Sequence, residues 1–341
     1  MPSSEIGSEF WDVPLRTDNL IFPETTQWYI SGRGALKAVI NALPDIRSVA
    51  MPSWCCDTML KPFLEEGIEV RFYPVTIDPS FHQEPRLDCD ALLIMDYFGF
   101  YAPALNLGTY PGIVIRDVTH SVFSRAYQDA DYFFGSLRKW CGVWTGGYAW
   151  TKDGHSLPIA GGDKTGYASL RRQAMDEKYD YLFGASEEKK ERTQAKRYLA
   201  VFEQAEDLLD HCASSAADPR DVICAQKLDV DSIRRQRRSN AQLLMDAFSD
   251  QVFIPSLDQE DCPLFVPILV PDGKRDELRQ YLIQQEIYCP VHWPLTDYHQ
   301  GIDQRSEYLY QNELSLVCDQ RYTEADMLRM IHSIRRFWKE R

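Results

Sequence analysis

The stretch DYFFGSLRKWCGVWTGGYAW, residues 131–150, sets Ser136, Arg138 and Lys139 between two apolar runs and carries the pair Gly146–Gly147. A lysine at a strand end is commonly a solvated surface residue. It becomes a nucleophile toward carbonyl carbon when desolvation or a neighbouring cation lowers its pKa. Ser136 offers a hydroxyl and Arg138 a planar fork, both suited to a phosphate. Upstream, SGRGAL, 31–36, places Gly32, Arg33 and Gly34 at a strand-to-helix turn, where backbone N–H groups favour an anion. It departs from the dinucleotide fingerprint, because Lys37 stands where the third glycine belongs. In IVIRDVTHS, 113–121, Asp117 ends an apolar strand, the place where open α/β sheets hold ligands, and His120 and Ser121 follow. Asp96 ends another such run, LLIMDYFGFY, with Gly99 allowing a tight turn. A strand-end aspartate is equally a turn former, so both readings stand for each.

Together these segments meet the needs of one cofactor, pyridoxal 5'-phosphate: a lysine for its aldehyde, a carboxylate opposite its ring nitrogen and a cradle for its phosphate. Asp117 would keep the ring nitrogen protonated and Lys139 would move the substrate's α-proton.

The elements that must position these residues read as follows. QWYIS, IRSVAMP, EVRFYPV, ALLIMDYF, IVIRDV, YFFGSL and GYAW are strand candidates, with helices over GRGALKAVINAL and from Cys55 to Glu66. Buried runs alternating with helices predict an α/β large domain with a mainly parallel sheet. Charged helical sequence follows from about 164 to 212, where EEKKERTQAKR reads as a solvated face. The polar turn region ASSAADPRD, 213–221, marks the junction, giving a large domain over 1–215 and a smaller α+β domain over 216–341. In the latter, helices over IRRQRRSNAQLLMDAF, RDELRQYLIQQE and EADMLRMIHSIRRFW flank a strand, LFVPILV. RRQRR, 234–238, reads as the exposed face of the first of these helices.

The 341 residues suffice for about two domains. A hydrophobic content of 44% and a charged content of 26% are those of a soluble globular enzyme. The net charge of -14 opposes nucleic acid and anionic membranes as partners. Nine cysteines form no metal-ligand pattern, so no metal is expected, and the odd count reads as reduced thiols of a cytoplasmic protein. The N-terminus lacks the apolar core of a signal peptide, and no apolar run is long enough to span a membrane.

The order SGRGAL, PSWCC, DYFG, RDVTHS and DYFFGSLRKW followed by GG resembles the DegT/DnrJ/StrS family of pyridoxal-phosphate sugar aminotransferases, of the aspartate aminotransferase fold (fold type I). ICAQKLDVDSIRRQRRSNAQLL, VHWPL and NELSLVCDQRYTEADM resemble its C-terminal region, so the likeness covers nearly the whole chain. The resemblance implies that Lys139 is the Schiff-base lysine, Asp117 the partner of the pyridine nitrogen and His120 a neighbour of the ring. It implies that Gly32, Arg33 and Ser136 hold the phosphate, with Gly34 and Arg138 beside them. Trp54 or Cys56 would lie over the ring. Two departures are visible: Ser136 and Lys139 stand closer than in the family, and its GxN segment is not evident in HCASSAADPRD. His292 and Trp293, with Asp96, are candidates to line the substrate cleft, although a histidine in the stretch PVHWPL is equally a packed structural one. The expected activity is amino transfer, with glutamate as donor and a keto sugar or similar small carbonyl compound as acceptor, in a homodimer. Another pyridoxal-phosphate reaction (lyase, decarboxylase or amino-acid aminotransferase) is the alternative. A non-catalytic regulatory relative is a third reading, opposed by the intact Lys139 and Asp117.

Overall fold

The computed structural model describes residues 5–15, 22–78, 80–100, 107, 110–124, 129–159, 161–184, 196–212 and 214–340. By internal contacts the chain divides into two compact units, neither of them one run of sequence. The first draws on 1–8, 44–131 and 230–341, the second on 9–43 and 132–229, so the 215/216 boundary falls inside the second. Most of the EEKKERTQAKR run, 187–195, lies outside the described residues.

In the first unit the strands Glu69–Tyr73, Ser48–Pro52, Ala91–Met95 and Ile113–Asp117 lie side by side in that order, all parallel. Every residue of Ser48–Pro52 and Ala91–Met95 is buried, which is why both read as unbroken apolar runs. The helix Asp57–Glu65 makes the crossover that parallel neighbours require. Register sets Met95 opposite Asp117, so these two strands end level. A second sheet pairs Phe265–Leu269 antiparallel with Glu313–Val317. With it come the helices Val230–Ala247, Arg275–Gln284, Gln304–Asn312 and Glu324–Lys339. Gln304–Asn312 is a helix the sequence reading missed; its signal is Asp303, whose carboxylate accepts the N–H groups of Arg305 and Ser306.

The second unit contains the strands Gln27–Tyr29, Gly147–Thr151 and Tyr132–Ser136, paired antiparallel. The connection 137–146 is too short for a crossover, so the chain returns beside its own strand in the opposite sense. The helix Gly32–Ala42 leaves the first strand, with Ser31 as N-cap. Helices Tyr167–Phe183 and Tyr198–Cys212 pack through Ala174, Met175, Tyr198 and Phe202.

RRQRR is not the solvated face expected from its spacing. Arg237 is wholly buried and donates to Gln320 Oε1 at 2.7 Å and to the carbonyls of Leu264 and Pro263 at 3.0 and 3.2 Å. Arg234 donates to the carbonyl of Phe123, and Arg238 to that of Asp261. Helical spacing alone does not show that loops with unpaired carbonyls lie opposite. Arg235 is exposed. Arg237→Ala, which strands those carbonyls, is expected to lower unfolding free energy by about 2–3 kcal/mol. Arg235→Ala should stay within about 0.5 kcal/mol of the parent. Urea titration of both variants checks this, and equal losses would refute the assignment.

Candidate functional site

In the first unit, Asp117 closes its strand in a buried position, and its Oδ1 accepts the N–H of Thr119 at 2.8 Å. That bond turns the chain immediately after the strand and brings His120 into the interior. His120 Nδ1 accepts the N–H of Phe98 at 3.2 Å, which places the proton of the neutral ring on Nε2. The Phe98 turn is tight: Gly99 has φ +79°, and a Cβ there would meet the Cys262 carbonyl oxygen at 2.0 Å.

The His120 ring stacks on Trp293 (centroids 5.9 Å apart, planes at 21°) and meets His292 edge to face at 5.5 Å. Trp54 stacks on Tyr97 at 5.2 Å and 9°, and lies edge-on to Trp293 at 5.8 Å. Four residues singled out in three separate stretches therefore join one aromatic cluster, which also takes in Tyr97, Phe98, Phe81, Phe253 and Phe265. Trp54 is wholly buried and its indole N–H has no hydrogen-bond partner, whereas Trp293 is only partly buried. An unsatisfied buried donor costs about 1–3 kcal/mol, so this N–H is a ready partner for an acceptor brought by a ligand.

The loop bearing Trp54 is held by residues the sequence reading missed. Cys55 N–H donates to Tyr310 Oη at 3.0 Å, and the Tyr97 hydroxyl donates to the Trp54 carbonyl at 2.5 Å. Cys56 caps the helix Asp57–Glu65, with Sγ 3.1 Å from Thr58 Oγ1. Asp96 is committed within the protein: Arg116 donates twice to its Oδ1, at 2.7 and 2.9 Å, and the Ser121 hydroxyl donates to Oδ2.

In the second unit, Ser31 Oγ accepts the N–H of Gly34 at 3.1 Å and sets the first turn of the helix Gly32–Ala42. A Cβ added to Gly32 would stand 3.2 Å from Ser136 Cβ, so glycine here lets the helix N-terminus approach the serine. Gly32, Arg33, Gly34 and Ser136 thus come together as a turn with the chemistry of an anion cradle. Arg138 is engaged elsewhere, donating to Tyr167 Oη at 2.6 Å and to Glu206. Lys139 ends the short 3-10 turn Leu137–Lys139 and is exposed. The burial expected to tune its amine is not supplied by this unit. Half-buried Glu9 feels Lys139 together with two arginines: burial alone would raise its carboxyl, but Arg171, Arg138 and Lys139 bring it down to about 2. Among the described residues no group of three His, Cys, Asp or Glu is arranged to hold a metal ion.

No family model and no curated protein matches the sequence. Solved structures do share its fold. A DegT DnrJ EryC1 StrS aminotransferase from Brucella abortus superposes with TM-score 0.58 at 16% identity, over 92% of this chain and 85% of that one. Helicobacter pylori PseC, an aminotransferase of pseudoaminic acid biosynthesis, gives 0.60 at 14% identity over 98% and 100%. NtdA of Bacillus subtilis, solved with bound cofactor PMP, gives 0.60 at 12% identity over 91% and 72%. The likeness is one of fold. The chain has the α/β architecture of fold type I expected from its motifs.

Glu9 makes the second unit acid-sensitive. Its folded pKa of about 2 lies below the ordinary 4.5, so its contribution is present above about pH 4.5 and is lost as pH falls toward 2. With the side chain 39% exposed, solvent screening limits it to about 1 kcal/mol. Glu9→Gln should cost that amount near pH 6 and nothing near pH 2. Chemical denaturation at both pH values measures it, and an equal loss at the two would remove Glu9 as the cause.

Proposed function

We propose that the chain is a pyridoxal-phosphate aminotransferase of the DegT/DnrJ/StrS type, passing an amino group from glutamate to a keto sugar or similar small carbonyl acceptor. The observation that carries the reading is a fold shared with aminotransferases over more than nine-tenths of the chain, in which a glycine–serine turn precedes an exposed strand-end lysine.

When bound, pyridoxal phosphate supplies an aldehyde to take up the amino group and a ring to take up an electron pair. Gly32, Arg33, Gly34 and Ser136 receive its phosphate through helix N-terminal amides and a hydroxyl. Arg138, held by Tyr167 and Glu206, lends positive charge without reaching the phosphate. Asp117, fixed by Thr119, would hold the proton on the ring nitrogen, and His120 in its Nε2–H form would donate beside the ring. The buried indole N–H of Trp54 gives the ligand a further donor, and its face is already taken by Tyr97. Lys139 would provide the amine and would hold or give up the α-proton as base and acid. His292 and Trp293 face the substrate side.

Because Lys139 is exposed in the chain, we assign its drying to the bound cofactor and to a second copy of the chain, and a homodimer is part of the proposal. The partners are small molecules. Among the described residues no helix is long and apolar enough to cross a membrane, and we place the enzyme in the cytoplasm.

Purified protein loaded with pyridoxal phosphate should absorb near about 420 nm, and Lys139→Ala should abolish the band. Glutamate should release 2-oxoglutarate with loss of that absorbance. Asp117→Asn should slow this half-reaction about a hundredfold or more while keeping the band. A band that survives in Lys139→Ala, or no half-reaction with any amino donor, overturns the reading.

A further inference from the structure

Glu313, Ser315 and His292 form a hydrogen-bonded group in the first unit. Glu313 opens the strand Glu313–Val317, and Ser315, two residues on, shares its face. Both are wholly buried, and His292 is 4% exposed. Glu313 Oε2 accepts the backbone N–H of His292 at 2.8 Å, and Oε1 lies 2.5 Å from Ser315 Oγ. The same hydroxyl stands 2.7 Å from His292 Nδ1, while Nδ1 and Oε1 are 4.0 Å apart. Carboxyl and ring are too far apart for a direct bond and communicate through the serine.

A hydroxyl has one proton to donate. If Ser315 gives it to the carboxylate, Nδ1 must carry a proton and donate to Oγ. If Ser315 gives it to Nδ1, the carboxyl must be protonated and donate to Oγ. We propose that Glu313, acting through Ser315, sets the tautomer of His292, so that one buried carboxyl decides whether Nε2 of that ring donates or accepts. With the carboxyl protonated, the ring proton sits on Nε2; with it ionised, the proton sits on Nδ1 and Nε2 presents a lone pair. In the change, the carboxyl proton passes to Oγ, the Oγ proton passes to Nδ1 and the Nε2 proton leaves to solvent. One proton is lost and the ring stays neutral throughout.

Burial pushes the Glu313 carboxyl up to about 8, against the lowering effects of the Ser315 bond, the His292 N–H and Arg275. Charged and titratable groups face the trio from several elements. From the helix Arg275–Gln284, Arg275 donates to the Glu313 backbone carbonyl at 3.1 Å. Cys289 is a thiol that burial holds up at about 12, neutral throughout. His120 meets the His292 ring edge to face, and the other ring neighbours, Phe98, Phe265 and Trp293, are uncharged. Across the sheet, Glu313 pairs with Leu269. The trio therefore holds the Nε2–H form at neutral pH and changes over in mild alkali. The inference goes beyond the proposed function and uses none of its cofactor chemistry, so the failure of either leaves the other standing.

The test is long-range proton–nitrogen NMR of the full chain labelled with 15N-histidine, from about pH 6.5 to 9.5. His292 is assigned by its loss in His292→Phe. The parent should pass from Nε2–H to Nδ1–H with a midpoint of about 8. In Glu313→Gln the amide oxygen accepts the His292 N–H and the amide nitrogen donates to Ser315, so the ring should stay Nε2–H across the range. Ser315→Ala cuts the chain and should abolish the change, which keeps the test open if the glutamine variant folds poorly. A single tautomer throughout in the parent, or an unaltered change in either folded variant, overturns the proposal.

Discussion

A strand buried on both faces cannot carry a lone charge, and Arg116 lies within such a strand at 2% exposure. Leaving one partner of a buried ion pair unmatched costs about 3–5 kcal/mol, so Arg116 dictates what stands around it. It is met by two bonds to Asp96 and one to Asp129, and Asp96 in turn takes the hydroxyl of Ser121. Asp96 follows one parallel strand, and Ser121 lies on the loop that leaves the next. The ion pair therefore ties together the two chain exits from which the Phe98 turn, Asp117 and His120 emerge. The polar groups that close this end of the sheet are held by the guanidinium between them.

The two units contribute groups of different character. In the first, the candidate ring-side residues are buried, stacked and bonded: His120 in a defined tautomer, Asp117 held at Thr119, Trp54 anchored through its carbonyl. In the second, Lys139 is exposed among Glu9, Arg138, Arg171 and Glu206, which neutralise one another.

The strands were legible because complete burial leaves an unbroken apolar run, as in SVAMP and ALLIM, and the helix Gly32–Ala42 because SGRGAL carries its cap. The antiparallel return of Gly147–Thr151 was implicit in the short 137–146 connection. Other features depend on partners far along the chain. Asp96 reads as a ligand candidate until Arg116 is seen to occupy it, and RRQRR as a solvated face until the Leu264 and Phe123 carbonyls are found opposite. Tyr310 sits in a polar stretch, QRSEYLYQN, whose only local sign of structure is the Asp303 cap. Trp54, His120, His292 and Trp293 each stood out by type, but nothing in their spacing announces that they share one cluster. Glu313 was silent, since an acid opening an apolar strand looks like an exposed strand end.

The stretch ELSLVCDQR, 313–321, shows that burial alone does not decide a charge state. Asp319 and Glu313 are both sequestered from water. Burial raises the carboxyl of Asp319, but Arg321 outweighs it with Nε and a terminal nitrogen at 2.9 and 2.8 Å, leaving the group below its usual value. Glu313 has an arginine at hand as well, yet Arg275 bonds its backbone carbonyl and the carboxyl receives only neutral donors. Neutral hydrogen bonds recover less than a guanidinium does, so desolvation wins and the carboxyl is raised. Two acids six positions apart are thus shifted in opposite directions, because one fork reaches a side chain and the other stops at the main chain.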